Sequence, residues 1–173
     1  MRCPVCNSTL QRDALLRIYK QANGPNWVNR ANWDTQAPLN HWDGVECTKG
    51  LVTSLNLDEG ASGTLPSFLG LESLLVLNGP PYGFVAPVRF STFDGLSGLV
   101  NLQMANAAGS ASGPLLLLPD SFAPLVSLQS LVLGANNLRT IPFATLPGFP
   151  TCPNLTVLDV SNNPLRKLPE LAF

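Results

Sequence analysis

The stretch Leu155-Thr-Val-Leu158-Asp-Val160-Ser-Asn-Asn163-Pro-Leu165-Arg-Lys-Leu168-Pro169 repeats Leu128-Gln-Ser-Leu131-Val-Leu133-Gly-Ala-Asn136-Asn-Leu138-Arg-Thr-Ile141-Pro142 almost position for position. No other feature limits the fold as strongly, because self-similarity at a period of this length marks stacked supersecondary units. Each copy has apolar residues at relative positions one, four and six, an Asn at nine and another apolar residue at eleven. The period of two in Leu131-Val-Leu133 and Leu158-Asp-Val160 turns both apolar side chains to one face of a short strand. One repeat cannot close the interior those side chains need; stacking does. Asn136 and Asn163 fall where the chain leaves the strand, and there an amide can donate to and accept from backbone, including that of the neighbouring coil.

This pattern resembles the leucine-rich repeat. The resemblance implies an α/β solenoid of about five repeats, with short parallel strands on its concave face. Upstream, Leu99-Val-Asn-Leu102-Gln-Met104 gives a third strand, Leu74-Leu-Val-Leu77 a poorer one and Val52-Thr-Ser-Leu55-Asn-Leu57 a clear first. The intervals from Leu55 to Leu77, Leu102, Leu131 and Leu158 are 22, 25, 29 and 27 residues in turn, irregular for that family. Ala61-Ser-Gly63-Thr-Leu65-Pro66 resembles the Leu-x-Gly-x-Ile-Pro segment of the plant-type repeats, and Ala111-Ser-Gly113-Pro-Leu115 is a similar loop. The first repeat lacks the Asn, and the second replaces the turn with Gly79-Pro-Pro-Tyr-Gly83. Pro80 and Pro81 cannot donate to a ladder, so that strand must be very short.

Ahead of the repeats, Ser8-Thr-Leu-Gln11 has capping-box spacing, with helix formers up to Ala22 and Gly24 as the stop. A helix over about 8–22 is expected, with Leu10, Leu15, Ile18 and Ala22 on one face. It leads into a loop-like stretch with Trp27, Trp33 and Trp42, side chains suited to covering the open end of the first coil. Asn23-Gly-Pro-Asn-Trp27, Asn32-Trp33 and Trp42-Asp-Gly-Val-Glu-Cys47 resemble the N-terminal cap of plant-type receptor leucine-rich repeat proteins and their protist and algal relatives. The expected organisation is a cap over 1–50 and repeats over 51–173. No closing cap follows the fifth repeat, so further repeats, another domain or a partner is expected beyond Leu171-Ala-Phe173.

The family cap pairs Cys47 with a cysteine that follows a Pro, but Leu39 follows Pro38 here, so the resemblance puts the bridge between Cys47 and Cys3 or Cys6. The other reading of Cys3, Cys6, Cys47 and His41 is a zinc site, although the second half lacks paired ligand spacing. Two acceptor triplets for N-glycosylation, Asn7-Ser-Thr9 and Asn154-Leu-Thr156, agree with a secretory route. An extracellular or secretory location is expected, with the cytoplasm as the alternative. Met1-Arg2-Cys3 does not read as a signal peptide, so either a leader missing from this sequence or an intracellular chain is expected.

Charged residues make up 12% of the chain at a net charge of −1, and the basic ones are scattered, which leaves no footprint for nucleic acid. No apolar run approaches the roughly 18 residues of a membrane span. The sixteen prolines and fourteen glycines fall largely at turn positions and read as punctuation. His41 is the single histidine and has no nucleophile placed beside it, while Asp58, Glu59, Asp94, Asp120 and Asp159 are dispersed over different coils. No catalytic, cofactor or metal site is expected.

In the family, residues between the buried leucines project from the sheet. The resemblance therefore implies a reading face of Ser54, Asn56, Asp58, Val76, Asn78, Asn101, Gln103, Ser130, Val132, Asp159 and Ser161. That face is polar, nearly uncharged and without an aromatic anchor, so the loops with Tyr82, Phe84 and Phe90 are the further candidates. The leading functional expectation is a non-enzymatic module that recognises a protein or peptide. The competing one is a structural or adsorbing protein that meets cell-wall polysaccharide or ice, which a regular grid of identical residues would favour.

Overall fold

The computed structural model of the chain describes residues 6–80, 84, 92–105, 124–136, 138 and 154–166. Among these, six strands form one sheet in chain order: β1 (Val45–Thr48), β2 (Leu51–Asn56), β3 (Val76–Asn78), β4 (Asn101–Gln103), β5 (Ser130–Val132) and β6 (Val157–Asp159). Strands β2 to β6 are parallel, and Leu55, Leu77, Leu102, Leu131 and Leu158 lie side by side in register. Each three-residue rung turns its central leucine inward, as the alternation of a pleated strand requires. Leu55, Leu77 and Leu102 have no exposed surface and Leu131 has 2%, whereas Leu158 is only partly buried.

Backbone bonds run in one sense at each end of a rung. On entry the later coil donates to the earlier, as from Leu75 N–H to the Thr53 carbonyl (2.8 Å) and from Thr156 N–H to the Gln129 carbonyl (2.8 Å). On exit the earlier coil donates to the later, as from Leu57 to Asn78 (2.9 Å), Met104 to Val132 (2.8 Å) and Leu133 to Asp159 (2.7 Å). The two turn asparagines continue this ladder with side chains. Asn136 Nδ2 donates to the Met104 carbonyl at 2.6 Å and to the Leu133 carbonyl at 3.0 Å. Asn163 Nδ2 donates to the Leu133 and Val160 carbonyls, and its Oδ1 accepts from Asn136 N–H (2.9 Å) and Leu138 N–H (2.8 Å). Each amide thus ties its own turn to the preceding coil and satisfies groups that a turn would otherwise leave unpaired.

One helix, α1 (Thr9–Gln21), precedes the sheet, with Ser8 as its N-cap. Its buried stripe is Gln11, Ala14, Leu15, Ile18 and Tyr19, continued by Ala22. This is the i, i+3, i+4, i+7, i+8 spacing of one helical face, and Leu10 falls off it and stays 64% exposed, contrary to the expected stripe. The capping box is also only half formed. Ser8 Oγ accepts from Gln11 N–H, but Gln11 Oε1 accepts from Val52 N–H at 3.2 Å and so joins the helix to β2.

The Trp-rich segment, loop-like by sequence, contains the strand β1. β1 pairs antiparallel with β2 through a two-residue turn in which Lys49 (φ 53°) and Gly50 (φ 82°) both have positive φ, the geometry that matches the twist of a hairpin. Gly44 enters this hairpin at φ 75°, where an added Cβ would lie 2.2 Å from the Asn56 carbonyl oxygen. Trp27, Trp33 and Trp42 are 2%, 5% and 2% exposed, and their indole N–H groups donate to the carbonyls of Ala22, Asp43 and Ala37. Their rings and that of Tyr19 form a contiguous cluster with centroid separations of 4.9 to 5.5 Å. The Arg12 guanidinium lies 5.1 Å from the Trp42 ring and donates to the Thr35 and Ala37 carbonyls and to Asn7 Oδ1. Of the two pairings expected for Cys47, the structure has the one with Cys6, at a Cα separation of 6.2 Å. That bond takes both thiols away from the zinc reading, and Cys3 lies outside the described residues.

Candidate functional site

The register sorts the non-core strand residues into two rows. One runs Ser54, Val76, Asn101, Ser130, Val157; the other runs Asn56, Asn78, Gln103, Val132, Asp159. The expected reading-face residues within the strands therefore come together on one side of the sheet. Ser54 is 9% exposed and offers little surface, while Val157, not among the expected residues, is 48% exposed at the end of the same row. Its place follows from the alignment of Leu158 with Leu131, so the register itself carried the signal.

The middle of the face is an amide cluster. Asn78 Nδ2 donates to Asn56 Oδ1 across β2 and β3. Oδ1 of Asn78 and Oδ1 of Asn101 are buried and, among the described residues, have no hydrogen-bond partner. Two acceptors on neighbouring strands are thus shielded from bulk water and without donors among the described residues, a costly arrangement.

The carboxylates at the margins differ. Asp58, part-buried after β2, accepts from the backbone N–H of Val28 (2.7 Å), Asn29 (2.9 Å) and Gly60 (2.8 Å), and from the Asn29 side chain (3.2 Å). Burial alone would raise its pKa, but these donors together outweigh it and hold the carboxyl below its ordinary value. Asp58 therefore fastens the Trp27 loop to the first coil. At the far end, Asp159 accepts from Ser161 N–H at 2.8 Å, and donation from the Ser161 backbone and hydroxyl lowers its pKa. Four strand spacings from β2 to β6, about 19 Å, keep these two carboxylates from acting as a pair.

Of the expected loop anchors, Phe84 is 7% exposed, belongs to the core and sits at a parallel bridge with Gly63, so it packs inward rather than standing free. A phenyl ring brought beside that bridge gains more by burial than by projecting into water. Tyr82 and Phe90 lie outside the described residues. Both glycosylation acceptors, Asn7 and Asn154, are exposed. Among the described residues no group of three or more His, Cys, Asp and Glu side chains converges as a metal cluster would, and His41 is exposed in the cap.

A parallel ladder of short rungs with inward leucines and turn asparagines defines a repeat solenoid. Residues 123–172 match the family model for Leucine Rich repeats (2 copies). Over 87 residues, 48% of this chain, the sequence is 36% identical to Toll-like receptor 7 of Drosophila melanogaster, a match that spans 6% of that receptor's length. Together these findings support a leucine-rich repeat protein. The crystal structure of a plant ice-binding protein aligns with 91% of this chain and 49% of its own, at 20% identity and a TM-score of 0.49. No described helix is long and apolar enough to cross a membrane.

Proposed function

We propose that this chain is a non-enzymatic recognition module of a receptor-like or secreted protein of the plant-type leucine-rich repeat kind, and that it binds a protein or peptide on the non-core face of β3 to β5. The observation that carries this reading is the alignment of Val76, Asn78, Asn101, Gln103, Ser130 and Val132 in two adjoining rows on a face whose parallel strands carry a single charged residue, Asp159. An extended peptide presents N–H and C=O groups at regular intervals, and amide and hydroxyl side chains such as Gln103 and Ser130 can pair with both. The family match supports a protein partner, and the Cys6–Cys47 bond supports an extracellular or secretory setting. The adsorbing alternative calls for identical residues in each rung, and the two rows differ from rung to rung.

The test is capture of partners from the native extracellular fluid by the immobilised chain and by an Asn101→Ala, Gln103→Ala variant. Recovery of a defined protein by the parent chain, lost in a variant of unchanged melting temperature, is the expected result. Equal capture by both, or retention only on polysaccharide or ice, would contradict the proposal.

A further inference from the structure

We infer that the chain carries N-linked glycans at Asn7 and Asn154, one at each end of the sheet. Asn7 adjoins Cys6, which is bonded to Cys47 in β1, and Asn154 stands three residues before β6. β1 and β6 are the first and last strands of the sheet, five spacings or about 24 Å apart. Both asparagines are exposed. Their existing contacts also survive the chemistry. In that reaction the Asn amide nitrogen forms a bond to the anomeric carbon of a lipid-pyrophosphate-linked oligosaccharide. The bond from that carbon to the pyrophosphate oxygen breaks, the lipid pyrophosphate leaves with the electron pair, and one amide proton passes to a base.

The linked amide keeps its carbonyl oxygen and one N–H. Asn7 uses the oxygen, Oδ1, to accept from Arg12 Nη2 at 2.7 Å, so the clamp of Arg12 onto Trp42 needs nothing that the sugar removes. Asn154 uses its amide nitrogen once, toward the Val126 carbonyl at 3.5 Å, and a nitrogen with two hydrogens can give one to the sugar bond and keep one. The hydroxyl two residues on is in place as well: Thr9 is exposed at the first turn of α1, and Thr156 is exposed with Oγ1 donating to the Gln129 carbonyl at 3.2 Å. On the amide face, by contrast, Asn56, Asn78 and Asn101 are followed at that place by Asp58, Pro80 and Gln103, so none is an acceptor. Sugar therefore flanks the recognition rows and leaves the middle rungs bare.

The experiment secretes the full chain from a eukaryotic host behind a supplied leader and maps it by peptide mass spectrometry before and after enzymatic glycan release. Glycopeptides at both positions, converted to Asp on release, are expected. Asn7→Gln and Asn154→Gln should each remove one glycan, and Thr156→Ser, which keeps the acceptor triplet, should retain the one at Asn154. An unmodified Asn7 or Asn154 in secreted protein with the Cys6–Cys47 bond intact would overturn the assignment at that residue. Partner capture is read separately, so failure of either result leaves the other standing on its own data.

Discussion

At the β1 end of the sheet, three tryptophans, Tyr19, Gln11 and a disulfide close over the first coil, and Leu55 is fully buried beneath them. At the β6 end, Leu158 occupies the same register but is only partly buried, with Val157 at 48% exposure and Leu155, Val160 and Leu165 also partly covered. The two rungs share the register of their leucines but differ in what lies beside them: β2 is six residues long and pairs with β1, whereas β6 is three residues long and pairs, among the described residues, with β5 alone. In a stack where each unit touches only the next, a rung's contribution depends on being covered on both sides. The cap supplies that cover with side chains of a kind the repeats themselves lack.

The comparison can be broken most decisively at the cap. Trp33→Ala removes the ring at the centre of the aromatic cluster and should cost about 3–5 kcal/mol, read by urea denaturation. The Cys6→Ser, Cys47→Ser double variant opens a link across 41 residues and should cost about 3–4 kcal/mol by loop entropy, measured the same way under non-reducing conditions. In Asn136→Ala the Met104 carbonyl loses its side-chain donor at a site only 3% exposed, for a loss of about 1–3 kcal/mol. Asn163→Ala, at the same repeat position but part-exposed, should lose less.

Leu158→Ala sharpens the contrast from the other side. It should cost at most about 2 kcal/mol, the low end for such truncations, whereas Leu131→Ala should lie well inside the range. The smallest effect is one of pH. Because the folded pKa of Asp58 lies below its ordinary value of 3.8, its ties stabilise the cap above that pH and are lost as pH falls through the folded value. Melting temperature followed into that acid range should drop more steeply for the parent chain than for Asp58→Asn.

Much of this was legible in the sequence, because leucine spacing encodes register: Leu55, Leu77, Leu102, Leu131 and Leu158 align as read, and Asn136 and Asn163 bond to neighbouring coils. The tryptophans were legible as core because side chains of that size suit the covering of an open coil. What escaped depended on long-range partners. Gln11 has capping-box spacing, yet Val52 N–H, 41 residues away, claims its side chain. β1 escaped because its strand pattern is short and follows a run of turns, although Lys49-Gly50 is the sort of pair a two-residue hairpin uses. Asp58 read as a face residue because its period matches the rows, while its four donors come mostly from the cap. At the candidate site the rows were readable from the register, but the donorless Asn78 and Asn101 oxygens emerge only from how adjacent side chains shield one another.

Amide hydrogen exchange followed residue by residue tests the shared interior most directly. The account predicts slow exchange at the inter-coil donors Leu57, Gly79, Met104 and Leu133, with protection falling from the cap toward Thr156 and Val157 beside β6. Fast exchange at the inter-coil donors, or protection at Thr156 and Val157 equal to that at Leu57, would contradict it.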